Sequence, residues 1–197
     1  DLKEAGHPLL HLRLSDRRRL GGSAFAQVLG QIGDETPDIE DPGALKSLFV
    51  AVQDLVRAGA IAACHDVSDG GLIVTLLEMA FAGDKGWDVH IYAPVSAPEP
   101  GAPGEIDPAA LYSALFAEEA GLVIEVADTA ATTEILERHG VMSTDLGVVG
   151  DAPAEAQTIK LHFNSSLVLE VPLRELHSAW EETGYQLERL QQNPACA

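Results

Sequence analysis

Hydrophobic positions along the chain change period several times, and each change marks an element. Pro8-Leu9-Leu10-His11-Leu12-Arg13-Leu14 alternates in its second half and predicts a strand. Ser23 to Ile32 reads as a helix stopped by Gly33. Asp41-Pro42 opens a better one: Asp41 suits an N-cap, Pro42 suits the first helical position, and Leu45, Leu48, Phe49, Val52, Leu55 and Val56 follow the helical period up to Gly59. Ala60 to Val67 predicts a short buried strand. An amphipathic helix over Gly71 to Ala82 follows, closed by Gly83, and Trp87 to Ile91 alternates as a strand.

From Ala93 to Pro108 the pattern fails, with five prolines and two glycines interleaved, and a long surface loop is expected. Periodicity then returns. Leu111 to Phe116 and Thr132 to His139 read as helices, and Leu122 to Val126 and Leu146 to Val149 as strands. Thr158 to Phe163 and Leu167 to Val171 read as strands joined by a tight turn at Asn164-Ser165-Ser166. Leu173 to Leu190 predicts a final helix with Leu176, Trp180, Leu187 and Leu190 near one face, weakened at Gly184 by ~1 kcal/mol relative to Ala and stopped by Asn193-Pro194. Strands and helices interspersed, with a hairpin and no internal repeat, argue for an α+β fold: a layered mixed sheet with helices packed on it. The expected division is a domain over 1–172, followed by a helix and linker over 173–197.

The chain has 197 residues, enough for a sizeable core, and its 46% hydrophobic content is that of a globular protein. A formal charge of −19 argues against nucleic acid and anionic membranes, whose phosphates demand basic surface. No apolar run reaches the ~20 residues of a membrane span. Two cysteines, Cys64 and Cys196, provide no disulfide framework and fit a reducing cytosol. The chain opens on Asp1 and not Met, so a piece of a longer polypeptide is expected. Acidity does not exclude a phosphorylated ligand, because Mg²⁺ reconciles carboxylates with phosphates. Arg17-Arg18-Arg19, ahead of Gly21-Gly22-Ser23, reads either as a solvated basic turn or as a phosphate contact.

The chemistry-bearing residues concentrate in Cys64-His65-Asp66-Val67-Ser68-Asp69-Gly70-Gly71-Leu72, where a strand becomes a helix. Alternation sends Asp66 and Ser68 to one side. Asp66 suits a Mg²⁺ ligand, Ser68 can donate to a phosphate, and Asp69, Gly70 and Gly71 complete a cleft in which a ligand approaches backbone N–H groups. The alternative needs no ligand: Ser68 or Asp69 caps the helix and the glycines make the turn. His65 reads as a packed histidine. Cys64-His65-Asp66 is no nucleophilic triad, because adjacent strand residues point to opposite faces. Glu118-Glu119 is a second acidic candidate, either a solvated turn or part of the cleft.

His65-Asp66-Val67-Ser68-Asp69-Gly70-Gly71-Leu72 followed by Leu76 to Gly83 resembles the phosphoribosylformylglycinamidine synthase family. More narrowly, it resembles the second aminoimidazole-ribonucleotide-synthase-like C-terminal domain of the large single-chain form. Leu20 to Gln27, Leu115 to Glu119 and Trp180 to Leu190 with Asn193-Pro194 match in the same order. The resemblance implies an ATP- and Mg²⁺-dependent ligase of purine biosynthesis that converts formylglycinamide ribonucleotide to formylglycinamidine ribonucleotide with ammonia from glutamine. It implies Asp66 as a metal ligand and Ser68 as a nucleotide contact, at an auxiliary ATP/ADP site shared with a preceding N-terminal-type domain. A glutaminase domain would follow. No residue here matches a catalytic position, so the chain alone is expected to be inactive. A scaffold that positions the glutaminase domain, and a related ATP-using enzyme such as a selenophosphate synthetase, are the other readings; the Trp180 to Pro194 motif speaks against the last.

Overall fold

The computed structural model describes residues 1–33, 35–92 and 106–191, so most of the Pro-rich stretch and the end at Asn193-Pro194 lie outside the described residues. Seven strands form one mixed sheet: β1 (Pro8–Arg13), β2 (Ile61–Asp66), β3 (Trp87–Ile91), β4 (Gly121–Val126), β5 (Met142–Val149), β6 (Thr158–Phe163) and β7 (Ser166–Pro172). Their spatial order is β2-β4-β1-β5-β3-β6-β7. All pairings are antiparallel except β3 with β6, which run parallel in the register His90↔His162. The helices are α1 (Ala24–Val28), α2 (Pro42–Ala58), α3 (Gly71–Gly83), α4 (Pro108–Phe116), α5 (Thr129–His139) and α6 (Leu173–Gln191), with a 3-10 turn at Ala154–Ala156.

Two cores lie on opposite faces. On one, α2 and α5 bury Leu48, Ala51, Leu55, Ile135 and Leu136 against Leu12, Ile124 and Val126. On the other, α3, with α4 and the first turn of α6, packs on Leu9, Trp87, Val89, Val123, Leu146, Ile159 and Phe163. The α2–α5 layer covers the β1-β2-β4 end. Val148, Asp88 and His90, on the same face of the sheet farther along, are each around 40% exposed.

Local signals decide most element boundaries. Asp41 caps α2 by accepting from Gly43 N–H, and Gly59 closes it at φ +63°. Asn164 and Ser165, at φ +47° and +70°, make the tight β6–β7 turn. Helix α6 runs unbroken through Gly184.

Four expectations change. The α1 helix ends at Val28, not Ile32, because the chain folds back: Gly22 N–H donates to the Ile32 carbonyl and Gly21 N–H to the Glu35 carbonyl, each at 2.7 Å. β2 is half-exposed, not buried, because it is an edge strand. α3 is not strongly amphipathic; seven of its positions are buried because sheet, α4 and α6 surround it. It closes at Asp84, with φ +49°, instead of Gly83, whose close packing on the Leu2 backbone leaves no room for a Cβ.

Candidate functional site

The loop after β2 brings Asp66 to Gly71 to the start of α3. The N-cap of α3 is Gly70, at φ +87°, and no side chain caps the helix. The capping role offered to Ser68 or Asp69 is therefore not taken up. The Ser68 carbonyl accepts from Gly71 N–H at 2.9 Å, and the Asp66 carbonyl accepts from Thr75 Oγ1 at 3.2 Å. The Asp66 side chain is 75% exposed, with His65 Nδ1 at 3.6 Å from its Oδ1. His65 also faces Glu78 at 3.4 Å. Burial and the Asp66 charge push the Cys64 thiol upward, which keeps it protonated at neutral pH and unsuited to nucleophilic work.

The glycines serve the protein's own chain. A Cβ on Gly71 would lie 2.7–2.8 Å from backbone atoms of Leu115, Phe116 and Ala117, and one on Gly70 would strike Val74 at 2.4 Å. Gly70 N–H is not open to a ligand either: it donates to Glu118 Oε1 at 2.8 Å. The same oxygen accepts from Ala24 N–H at 2.8 Å, at the first position of α1. Glu118 thus ties two helix starts together, a role that neither sequence reading assigned to it. Replacing it with Ala strands both donors and is expected to lower stability by about 2–3 kcal/mol. Glu118→Gln keeps an acceptor oxygen and is expected to cost less than about 1 kcal/mol, as urea denaturation of the two variants can measure.

Glu119 is equally engaged. Arg19 grips it with Nε on Oε1 and Nη2 on Oε2, both at 2.7 Å, and the Arg19 backbone N–H adds a third bond at 3.0 Å. Burial alone would raise the Glu119 carboxyl, but the Arg19 hydrogen bonds and charge hold it below the usual range. The Glu119 bond in turn raises Arg19. Arg17 pairs with Glu35 and Glu40, so within the basic run two arginines are spoken for by carboxylates. Among the described residues Arg18 has no carboxylate partner: its hydrogen bond runs to the Tyr92 carbonyl, at 2.9 Å.

Arg18 borders a cavity of about 310 Å³ on the α3–α4 side of the sheet, with His11, Arg13 and Thr144 on one wall and Val67 and Leu72 from the turn on another. Among the described residues His11 Nε2 is buried there without a hydrogen-bond partner. Burial, then the charges of Arg13 and Arg18, lower His11 to about 4, so its ring is neutral at physiological pH. Val67 points into this cavity; Asp66, Ser68 and Asp69 do not line it. This cavity, whose walls carry Arg13, Arg17 and Arg18 together with Asp16 and Glu119, and the acidic edge of the turn are two separate surfaces.

The model for the AIR synthase related protein C-terminal domain matches residues 4–160. The chain belongs to this family. Its relatives include human phosphoribosylformylglycinamidine synthase, 40% identical over 195 residues, which cover 97% of this chain and 13% of that protein. The Drosophila melanogaster enzyme of the same name is 39% identical over 204 residues, covering 96% and 14%. The chain therefore spans about an eighth to a seventh of these relatives. Among solved structures, T. maritima PurL complexed with FGAR superposes with a TM-score of 0.65 at 22% identity, covering 90% of this chain and 29% of that one. T. maritima PurL complexed with ATP does so at 0.60, also with 22% identity, covering 90% and 26%. These likenesses establish the family and the mixed-sheet fold. No helix among the described residues is long and apolar enough to cross a membrane.

Proposed function

We propose that this chain is one wall of an auxiliary Mg²⁺-nucleotide site in a phosphoribosylformylglycinamidine synthase, a cytosolic, glutamine-dependent ligase of purine biosynthesis. The reaction implied is ATP-driven conversion of formylglycinamide ribonucleotide to the amidine. In this reading the preceding N-terminal-type domain supplies the opposite wall, and a glutaminase domain follows the 173–197 segment. The observation that carries the reading is the contrast among carboxylates: the fold consumes Glu118 and Glu119 internally, whereas Asp66 is left open at the rim. An exposed carboxylate beside the half-buried Ser68, at the end of an edge strand, suits a cleft completed from the other side. Asp66 would supply one oxygen to Mg²⁺, with water and phosphate filling the remaining positions, and Ser68 would donate to a phosphate oxygen. In this reading the Gly70 and Gly71 amides, bonded within the chain, would leave the remaining phosphate contacts to the opposite wall, and Asp69, exposed next to them, would stand at the rim.

Calorimetry with Mg-ADP tests this in two proteins. The isolated chain is expected to bind weakly or not at all and to lack synthase activity, and the intact enzyme to bind tightly. Asp66→Ala in the intact enzyme should weaken binding at least about 10-fold and lower its Tm in the presence of nucleotide. Unchanged affinity would remove Asp66 from the site. That result would favour the second reading, a scaffold role, for which α6 supplies the observation: Trp180, Leu187 and Leu190, near one face, are between 51% and 82% exposed on a helix whose one buried residue among those described is Leu173. Such a face fits docking onto the segment that follows.

A further inference from the structure

The face of the sheet that α2 and α5 leave open carries a cluster unrelated to the β2–α3 turn. Alternation along β3 turns Trp87, Val89 and Ile91 into the core and Asp88 and His90 outward. In β6 the same alternation turns Ile159, Leu161 and Phe163 inward and His162 outward. Because these two strands are parallel and paired His90↔His162, the two imidazoles stand side by side, with ring centroids 4.2 Å apart and planes 7° from parallel. Asp88 reaches both rings: its Oδ1 lies 3.3 Å from His90 Nε2 and 3.3 Å from His162 Nε2.

Ion pairing does not explain this geometry. Asp88 Oδ1 is buried from water yet accepts no hydrogen bond, so neither ring presents an N–H along the line to it. A buried carboxylate oxygen without a donor is costly; the parallel rings do not aim their Nε2 lone pairs at one point, so an ion held by all three groups requires the imidazoles to turn about χ2 out of this stacked arrangement. The three donor atoms lie within 4.8 Å of one another. For Zn²⁺ with bonds of about 2.0–2.1 Å, neighbouring ligand atoms of a tetrahedron are about 3.3–3.4 Å apart. The two Asp88 distances match that edge.

We propose that Asp88, His90 and His162 bind a divalent transition metal of the Zn²⁺ class. Imidazole and carboxylate select this class over Mg²⁺ and Ca²⁺, which take oxygen ligands. Three protein ligands leave the fourth tetrahedral position for water or for a side chain of an adjoining part of the polypeptide. The ion would clip β3 to β6, the sheet's one parallel pairing among the described residues, whose intrinsic pairing is weaker than antiparallel. The site is independent of the nucleotide reading and stands or falls without it.

The test is titration of the chelator-stripped chain with Zn²⁺ alone, read by calorimetry, and with Co²⁺ alone, read by visible absorption. The expected result is one saturable equivalent, an intense tetrahedral Co²⁺ band, and a Tm that rises with Zn²⁺. His90→Ala, His162→Ala and Asp88→Asn should each weaken Zn²⁺ binding at least about 10-fold and remove the Tm shift, while His177→Ala leaves both unchanged. All three positions are partly solvent-exposed, so the variants should fold. Absence of saturable binding would overturn the proposal. So would Zn²⁺ affinity that survives loss of both His90 and His162, or that disappears with His65→Ala at the other histidine–carboxylate cluster.

Discussion

Glu125→Ala is expected to cost about 3–5 kcal/mol, the largest stability loss of any single carboxylate change in the protein. Glu125 is fully buried on β4, one strand in from the β2 edge. Its Oε2 accepts from Lys3 N–H at 2.7 Å; its Oε1 accepts from Glu4 N–H at 2.9 Å and lies 2.7 Å from His7 Nδ1. One carboxylate therefore gathers Lys3, Glu4 and His7 of the segment ahead of β1, which is also tied by Gly6 and His7 backbone bonds to Val149 and by a 3.0 Å bond from Leu2 N–H to the Met79 carbonyl. Truncation leaves two backbone donors and a histidine without an acceptor inside the protein. His7→Ala should cost far less, about 1 kcal/mol, because the two amides still satisfy the carboxylate. Equilibrium urea unfolding of both variants checks the ratio. A Glu125→Ala loss under about 1 kcal/mol would mean that the segment before β1 does not need this anchor.

The second large effect is on pH dependence. His11 is neutral in the fold down to about pH 4, whereas in the unfolded chain it takes up a proton near its ordinary 6.5. Between those values the unfolded state binds more protons, so stability falls as pH drops through that window. The shift corresponds to about 3 kcal/mol lost in full below both values. His11→Leu removes the titration and an unpaired ring nitrogen together. Its stability relative to the parent protein is expected to rise by about 2–3 kcal/mol between pH 7 and pH 4.5, measured by urea midpoints at each pH. Parallel curves for the two proteins would refute the assignment. A ring held neutral beside Arg13 and Arg18 also spares this wall of the cavity a further positive charge.

Elements whose signals are complete within a few residues were legible before any coordinates. Asp41-Pro42 with Gly59 satisfies the ends of α2 within a few residues, and Asn164-Ser165 takes up the left-handed turn between β6 and β7, so the residue types announce the geometry; Asp107-Pro108, expected to end the loop, instead opens α4 three residues ahead of its expected start. The early end of α1 was not legible, because a backbone-to-backbone return to Ile32 and Glu35 leaves no mark on side-chain pattern. The surroundings of α3 were misread because amphipathicity reports one buried face, and a helix enclosed by sheet, α4 and α6 has more than one. Glu125 carried a faint signal, a lone carboxylate in the apolar strand Leu122 to Val126, which points to a buried acceptor without naming its donors.

The same division runs through the two proposed sites. The run from Asp66 to Gly71 and the ordered motifs around it place the chain in its family, since residue types at a strand-to-helix turn are constrained by local backbone geometry. Which acidic groups remain available there was decided by tertiary structure: Glu118 meets Gly70 and Ala24, and Glu119 meets Arg19 across 100 positions of sequence, while Asp66 stays at the rim. Likewise, Asp88-x-His90 is visible as a pattern, but its third member, His162, joins it through the parallel register of β3 and β6. Local sequence sets dihedrals and caps because those interactions close within one turn of chain. The partner of a buried or clustered charge is set by strand order, which follows from how both faces of the sheet are filled at once.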